Sequence, residues 1–222
     1  MGTKRNPFFF LLGGLLVALL VTPIMTEHYP RISGTMLTVT LVISTLSMSA
    51  AKRTYKLAWS LVAMKIVLDV VGATTPIPGV FIAESAVLSV FFIVVTVFSL
   101  GRVLEDDYVD LNRIAGAISV YMLLGLIWTS LYFALSLLDP QAFEGIAVLT
   151  SYREELTNTA YLDLLYYSYV TLSTLGYGDV TPVSRAAQSL SYLEAICGVM
   201  YVAVLVAALI GSYSNRPADQ SR

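Results

Sequence analysis

Six predominantly apolar stretches, separated by short polar segments, run along the chain. They cover about residues 8–25, 34–51, 57–71, 80–100, 114–138 and 185–213. Helices of this length suit a hydrocarbon core of about 30 Å, so the pattern predicts an all-α membrane protein with six transmembrane helices. Lys4 and Arg5 before the first stretch are also typical of a signal peptide, but the stretch is long for one and no clear Ala-x-Ala site follows. We therefore interpret it as the first transmembrane helix.

A further apolar segment, residues 160–172, lies between the fifth and sixth stretches and is too short to cross the membrane. A glycine-containing segment follows it directly. Non-helical backbone at membrane depth is tolerated only where it is buried in protein or lines a watery cavity. This order predicts a re-entrant loop, in which a short pore helix points its C-terminal end, which favours cations, at the pore centre.

The segment after this short helix, residues 174–179, reads Thr-Leu-Gly-Tyr-Gly-Asp. Glycine tolerates left-handed backbone angles, so a chain that alternates permissive and ordinary positions can turn successive carbonyl oxygens to one side. Stacked carbonyl oxygens can replace the water around a bare cation. The segment is therefore a candidate cation-binding filter.

Residues 166–182 resemble the pore helix and selectivity filter of tetrameric potassium channels, and the resemblance to that pore module, including its small prokaryotic six-transmembrane members, covers about residues 114–213. It implies carbonyl ligands for K⁺ from four residues: Thr174, Leu175, Gly176 and Tyr177. Gly178 would shape the outer entrance, and Leu175 stands where the family most often has Val or Ile. One chain carries one such loop and the filter needs four, so the resemblance implies a homotetramer with K⁺ as permeant ion and no cofactor.

The resemblance also assigns the residues that support the filter. Tyr166 and Tyr167 replace an aromatic pair, often Trp, that braces the filter tyrosine in the family. Val170 occupies a position where some relatives have a Glu paired with the aspartate after the filter, so that carboxylate pair is missing. Asp179 is instead expected to bond to Tyr167.

Three positions of the sixth stretch are candidates for gating. Gly198 lies where the family often has a hinge glycine; the alternative is close helix packing, which small residues serve in membranes. The inner end of the stretch, residues 202–210, is strongly apolar. We expect it to narrow into a hydrophobic gate that closes by dewetting, with Val206 and Ile210 as the gate residues.

Positive charges predict the orientation of the chain in the membrane. On the six-span topology nine of them share one side: Lys4, Arg5, Lys52, Arg53, Lys56, Arg102, Arg113, Arg216 and Arg222. Only three face the other side: Arg31, Arg153 and Arg185. Both termini, including the short tail 214–222, are therefore expected in the cytoplasm of a multi-pass protein of the plasma (inner) membrane. The re-entrant loop then enters from outside, where acidic residues would attract cations.

The chain divides into a four-helix N-terminal unit (1–101), an interfacial linker (102–113) and a pore domain (114–213). Residues 80–100 carry no Lys or Arg, so the charges that a voltage sensor moves through the field are missing and little intrinsic voltage dependence is expected.

Lys65 and Asp69 lie inside the third span, four residues apart and so on one helical face. They predict an intramembrane ion pair, either structural or part of a ligand or gating site, with Glu84 as a possible third member. The linker is interpreted as a short interfacial helix or a solvated connection.

Composition agrees with this picture and excludes several functions. The 222 residues are 57% hydrophobic and 13% charged, whereas soluble domains are nearer about 45–50% and roughly 25%. A net charge of −2 without a long basic run argues against nucleic acid. The single histidine and single cysteine, His28 and Cys197, leave no nucleophilic or metal constellation, so an enzyme is not expected. The alternatives to a potassium-selective channel are a weakly selective or non-selective cation channel and a potassium-uptake transporter subunit.

Overall fold

The computed structural model describes residues 7–28, 33–47, 52–75, 77–105, 110–147 and 154–214. Within these ranges the chain forms α1 (Pro7–His28), α2 (Ser33–Ser47), α3 (Lys52–Thr74), α4 (Pro78–Glu105), α5 (Leu111–Leu138), β1 (Phe143–Glu144), α6 (Glu154–Leu172), β2 (Thr181–Pro182) and α7 (Arg185–Ser214). The two short strands pair antiparallel. They are the one departure from the predicted all-α fold among the described residues.

Five helices of the described chain are long and apolar enough to cross a membrane: α1, α3, α4, α5 and α7. The protein is therefore a mostly helical, multi-pass membrane protein. The predicted second span corresponds to α2, which has 15 residues, and the end of that prediction, residues 48–51, lies outside the described residues. A sixth span stays a prediction.

The boundary between the two halves of the chain differs from the predicted linker, 102–113. Arg102 belongs to the last turn of α4, which ends at Glu105. Asp110 is the N-cap of α5, and its side chain accepts a hydrogen bond from the backbone N–H of Arg113 at 2.8 Å. Such a cap satisfies one of the free N–H groups of the first helical turn. Helix formation from both sides thus leaves residues 106–110 between α4 and α5, and of these 106–109 lie outside the described residues.

Two apolar clusters hold the helices together. The larger cluster joins α1, α2, α3 and α4 to α5 and α6, with Leu15, Phe91, Phe92 and Leu123 fully buried in it. The second surrounds Tyr132 and joins the outer part of α5 to α6, the β-ribbon and the start of α7. The N-terminal helices therefore pack directly on α5, the helix that carries the pore helix α6.

The two long helices of the C-terminal half have very different surroundings. In the most apolar stretch of α5, 61% of the residues are buried, whereas in that of α7 only 11% are buried. Exposed α7 side chains include Leu193, Ile196, Val199 and Val204. Within a single chain, α7 thus presents most of its apolar length to its surroundings.

Candidate functional site

The candidate site begins where α6, the predicted pore helix, ends at Leu172. The carbonyl oxygen of Val170 accepts hydrogen bonds from the backbone N–H groups of Leu175 at 2.9 Å and Gly176 at 3.4 Å. These bonds fold the next residues back against the end of the helix. The N–H groups of Leu175 and Gly176 therefore point toward α6, and the carbonyl groups of the segment are free to point elsewhere.

The backbone beyond α6 alternates between left-handed and ordinary conformations. Positive φ angles occur at Thr174 (60°), Gly176 (59°) and Gly178 (79°), every second residue. Gly adopts this region without penalty, but a β-branched residue such as Thr174 does so only where the surrounding structure imposes it. The alternation is the one expected of a segment that turns successive carbonyl groups to one side.

No carbonyl oxygen of residues 174–178 accepts a hydrogen bond from any described part of the chain. All residues from 173 to 179 are exposed, and the exposed fraction reaches 59% for Leu175 and 67% for Tyr177. The carbonyl groups of the segment are therefore open to water, to a cation or to further protein.

Tyr166 ties the outer end of the segment to the pore helix. Its hydroxyl donates to Asp179 Oδ2 at 2.7 Å, and this bond holds the pKa of the Asp179 carboxyl below its usual value. The expectation that Asp179 bonds to Tyr167 is wrong. Consecutive helix residues point about 100° apart, and only Tyr166 faces the outer end.

Tyr167 points to the other side, into the second apolar cluster. Its ring makes edge contacts with Tyr132 and Phe143, at centroid distances of 5.2 and 5.5 Å. Its hydroxyl lies 2.6 Å from Ser191 Oγ, which itself donates to the Ala187 carbonyl. Tyr167 is thus the donor, and it bonds α6 to α7 behind the filter.

The β-ribbon holds the outer side of the site. It pairs Phe143 with Pro182, three residues after Asp179. A Cβ at Gly145 (φ 84°) would overlap the Asp179 carbonyl oxygen, so only glycine fits there. Asp163 of α6 accepts the backbone N–H of Ala147 at 2.8 Å; burial raises the pKa of its carboxyl, and this bond opposes the rise.

Gly198 is explained by close helix packing. A Cβ there would overlap the carbonyl oxygen of Leu172, the last residue of α6. The same oxygen accepts a hydrogen bond from the Tyr121 hydroxyl at 3.2 Å.

Among the gate candidates, Val206 is 47% exposed on α7. Ile210 also belongs to α7, but its side chain lies outside the described residues.

The predicted intramembrane charges meet in the N-terminal unit. Lys65 Nζ lies 2.7 Å from both carboxylate oxygens of Asp69 and 3.4 Å from Glu84 Oε1. Lys65 is fully buried, whereas the side chains of Asp69 and Glu84 are 32% and 20% exposed. We call these three residues the lysine cluster. One cation thus lies between two acids, Asp69 of α3 and Glu84 of α4.

Sequence reasoning missed Glu194 of α7. It is fully buried, and its two carboxyl oxygens lie 2.5 Å from the hydroxyls of Tyr132 and Ser168. The available signal was an acidic residue within an apolar span, which is the signal that pointed to Lys65 and Asp69.

Comparison with known proteins agrees with the position of this site. Residues 141–214 match the model of a family described as ion channel. The chain is 31% identical over 115 residues to "Inward rectifier potassium channel Kirbac3.1" of Paramagnetospirillum magnetotacticum, a match covering 51% of this chain and 36% of that protein. It is 30% identical over 82 residues to "Two-pore potassium channel 4" of Arabidopsis thaliana, covering 36% and 29%. It is 38% identical over 61 residues to "Two pore potassium channel b" of Oryza sativa subsp. japonica, covering 28% and 15%.

The C-terminal third of the chain is therefore similar to an ion-channel domain. The matched region spans from 15% to 36% of the length of the three relatives. It includes the pore helix, residues 174–179 and α7. No solved structure gave a significant match to the chain.

Proposed function

We propose that the chain is the subunit of a homotetrameric channel that conducts K⁺ selectively and passively across the membrane. The main observation behind this proposal is the backbone of residues 174–178. Every second residue has a left-handed φ angle, and no described residue donates a hydrogen bond to the carbonyl groups. Thr174, Leu175, Gly176 and Tyr177 provide the K⁺ ligands, and Gly178 shapes the outer mouth. The matched relatives named as potassium channels support the choice of ion.

The tetramer is supported by what a single chain leaves uncovered. One chain supplies one filter segment, exposed over residues 173–179. The apolar face of α7 is also largely unburied. Four copies around an axis cover both and surround the ion with carbonyl groups on all sides.

Gating in this proposal does not come from a voltage sensor. The only basic residue of α4 is Arg102, in its last turn, so α4 carries too little charge for a steep voltage response. The gate lies at the cytoplasmic end of α7, with Val206 and Ile210 as its apolar constriction and both termini on the cytoplasmic side. Serine substitution at both positions should raise K⁺ flux if dewetting closes the pore. Unchanged flux would reject this gate.

The experiment is ion flux into liposomes containing the purified protein, with K⁺ compared with Na⁺ and Ba²⁺ as blocker. We expect K⁺-selective, Ba²⁺-sensitive flux. Equal K⁺ and Na⁺ flux would replace the proposal with a non-selective cation channel. If no flux is seen, the Val206 and Ile210 double variant is tested next. Flux in the double variant would support a pore closed by this gate, whereas a silent double variant rejects the gate.

Gly176→Ala provides the sharpest test of the filter. A Cβ at Gly176 meets no atom within 4 Å, but the φ of 59° is strained for alanine, at a cost of about 1–3 kcal/mol. We expect an assembled protein with K⁺ selectivity lost. The matched control is Gly101→Ala in α4, which also adds a methyl group in open space and should leave selectivity unchanged.

A further inference from the structure

Glu194 is an acid buried without a cation. It is fully buried in α7, and no ion pair joins it to a Lys, Arg or His of the described residues, where the ion pairs found both use Lys65. Its polar neighbours are the hydroxyls of Tyr132 and Ser168, each at 2.5 Å. An ionised carboxylate in such surroundings is costly unless it is paired.

The hydrogen atoms of this network can be counted. Ser168 Oγ lies 2.5 Å from Glu194 Oε1 and 2.8 Å from the Gly125 carbonyl oxygen. A hydroxyl has one hydrogen, so Ser168 cannot donate to both acceptors. If Glu194 is ionised, Ser168 donates to it and faces the Gly125 oxygen without a hydrogen between them.

A neutral Glu194 satisfies every contact. Its Oε1–H donates to Ser168, Ser168 donates to Gly125, and Tyr132 donates to Glu194 Oε2. The result is a continuous chain of hydrogen bonds from α5 through α7 and α6 back to α5. Buried polar groups are normally paired in this complete way.

This network lies between two further contacts of α6 with α7. The pairs are Tyr167 with Ser191, Ser168 with Glu194, and Leu172 with Gly198. The three α7 residues are spaced by three and four positions and so lie on one face of the helix. Ser168 lies only six residues before Thr174, the first filter residue. A change at Glu194 thus acts on the base of the filter and on the gate helix together.

We propose that Glu194 is a positioning residue of the filter, which as a neutral acid fixes the pore helix α6 against α7 through Ser168 and Tyr132. The inference rests on the proposed channel function and adds the residue that sets the geometry of its filter. Glu194 contacts no permeant ion.

The test compares Glu194→Gln with Glu194→Leu in liposomes, by K⁺ and Na⁺ flux. A glutamine side chain donates and accepts in the same directions as the neutral acid, so we expect Glu194→Gln to keep the K⁺/Na⁺ flux ratio within about twofold. Leucine leaves the Tyr132 and Ser168 hydroxyls without this partner, and we expect the ratio to fall about tenfold or more. Tetramer yield is measured for both, and Tyr132→Phe serves as a milder variant if the leucine variant does not assemble.

A second readout does not depend on conduction. The infrared difference between the wild-type protein and Glu194→Gln should contain the carbonyl band of a protonated carboxylic acid. A carboxylate band instead, or a glutamine variant as impaired as the leucine variant, would overturn the neutral acid. A Glu194→Leu or Tyr132→Phe protein that assembles and keeps wild-type selectivity would overturn the positioning role. A wild-type protein without selective flux would reject the channel proposal, while the infrared comparison still decides the protonation of Glu194.

Discussion

The N-terminal unit and the pore domain each bury acidic side chains, but they stabilise them in different ways. In the lysine cluster, one buried cation lies between Asp69 and Glu84, and both acids keep partial access to solvent. In the C-terminal half, Glu194 is fully buried, has no Lys, Arg or His partner among the described residues, and lies between two hydroxyls. The first site is stabilised by charge, the second by the direction of its hydrogen bonds.

The difference teaches which substitutions each site tolerates. An ion pair within low-dielectric surroundings depends on both charges, because removing one partner leaves the other unpaired. A hydrogen-bonded neutral acid tolerates any side chain of the same shape and the same donor and acceptor pattern. A substitution that removes the charge and keeps the shape of the side chain should therefore destabilise the lysine cluster and leave the Glu194 site intact.

The largest effect is expected for Lys65→Met, which leaves two acids without their cation. We expect a loss of about 3–5 kcal/mol of stability, measured by thermal unfolding of the purified protein. The control is the neutral variant Lys65→Met, Asp69→Asn, Glu84→Gln, which should recover most of the loss because no charge remains unpaired. If Lys65→Met alone is as stable as the wild type, the lysine cluster does not depend on its charges and does not differ from the Glu194 site in this respect.

Gly198→Ala and Gly101→Ala compare helix packing in the two regions. The new methyl group overlaps the Leu172 carbonyl oxygen in the pore domain and meets no atom in α4. We expect Gly198→Ala to destabilise the protein by about 1–3 kcal/mol and Gly101→Ala to be neutral or slightly stabilising. If Gly198→Ala changes flux but not unfolding, the residue is a hinge and not a packing site.

Glu84→Gln tests whether the lysine cluster needs its second acid. Lys65 keeps its two 2.7 Å contacts to Asp69 and loses only the contact of 3.4 Å. We expect a change below about 1 kcal/mol in thermal unfolding, as for weak ion pairs, and a larger loss for Asp69→Asn. Equal losses would mean that the two acids share the cation evenly.

The smallest effect concerns the exposed carboxyl of Asp179. Its pKa is lowered by the Tyr166 hydrogen bond, so its ionised form contributes stability above the unfolded-state pKa and the contribution is lost as pH falls through the folded-state pKa. In Tyr166→Phe the pKa should rise toward its usual value, and the acid limb of K⁺ flux against outer pH should move to higher pH. An unmoved acid limb would show that another group controls it.

The sequence predicted the features that depend only on the local order of residues along the chain. Apolar length locates α1, α3, α4, α5 and α7, since a helix in lipid must satisfy its own backbone. Glycine spacing indicates where the backbone becomes left-handed, at Gly176 and Gly178, because few other residues accept such φ angles. The ends of helices were less accurate: α5 begins three residues before the predicted position, where Asp110 caps it.

The parts that the sequence did not predict depend on how helices dock. Tyr166 and Tyr167 are adjacent and chemically identical, and only the rotation of α6 decides which one reaches Asp179. Glu194 finds its partners on two other helices, 62 and 26 residues away. The β-ribbon pairs segments on either side of α6. No local pattern encodes such distant pairs.

The β-ribbon also bears on how the molecule assembles. By pairing β1 with β2 it closes a loop that contains α6 and the filter segment, and the entropy lost on loop closure grows only slowly with loop length. The Val170 carbonyl fixes one end of the segment, and the fit of Gly145 against Asp179 fixes the other. Much of the chain entropy of the segment is thus lost during folding of one subunit. In the tetramer that we propose, each subunit would then bring to the axis a filter segment that already follows its final course.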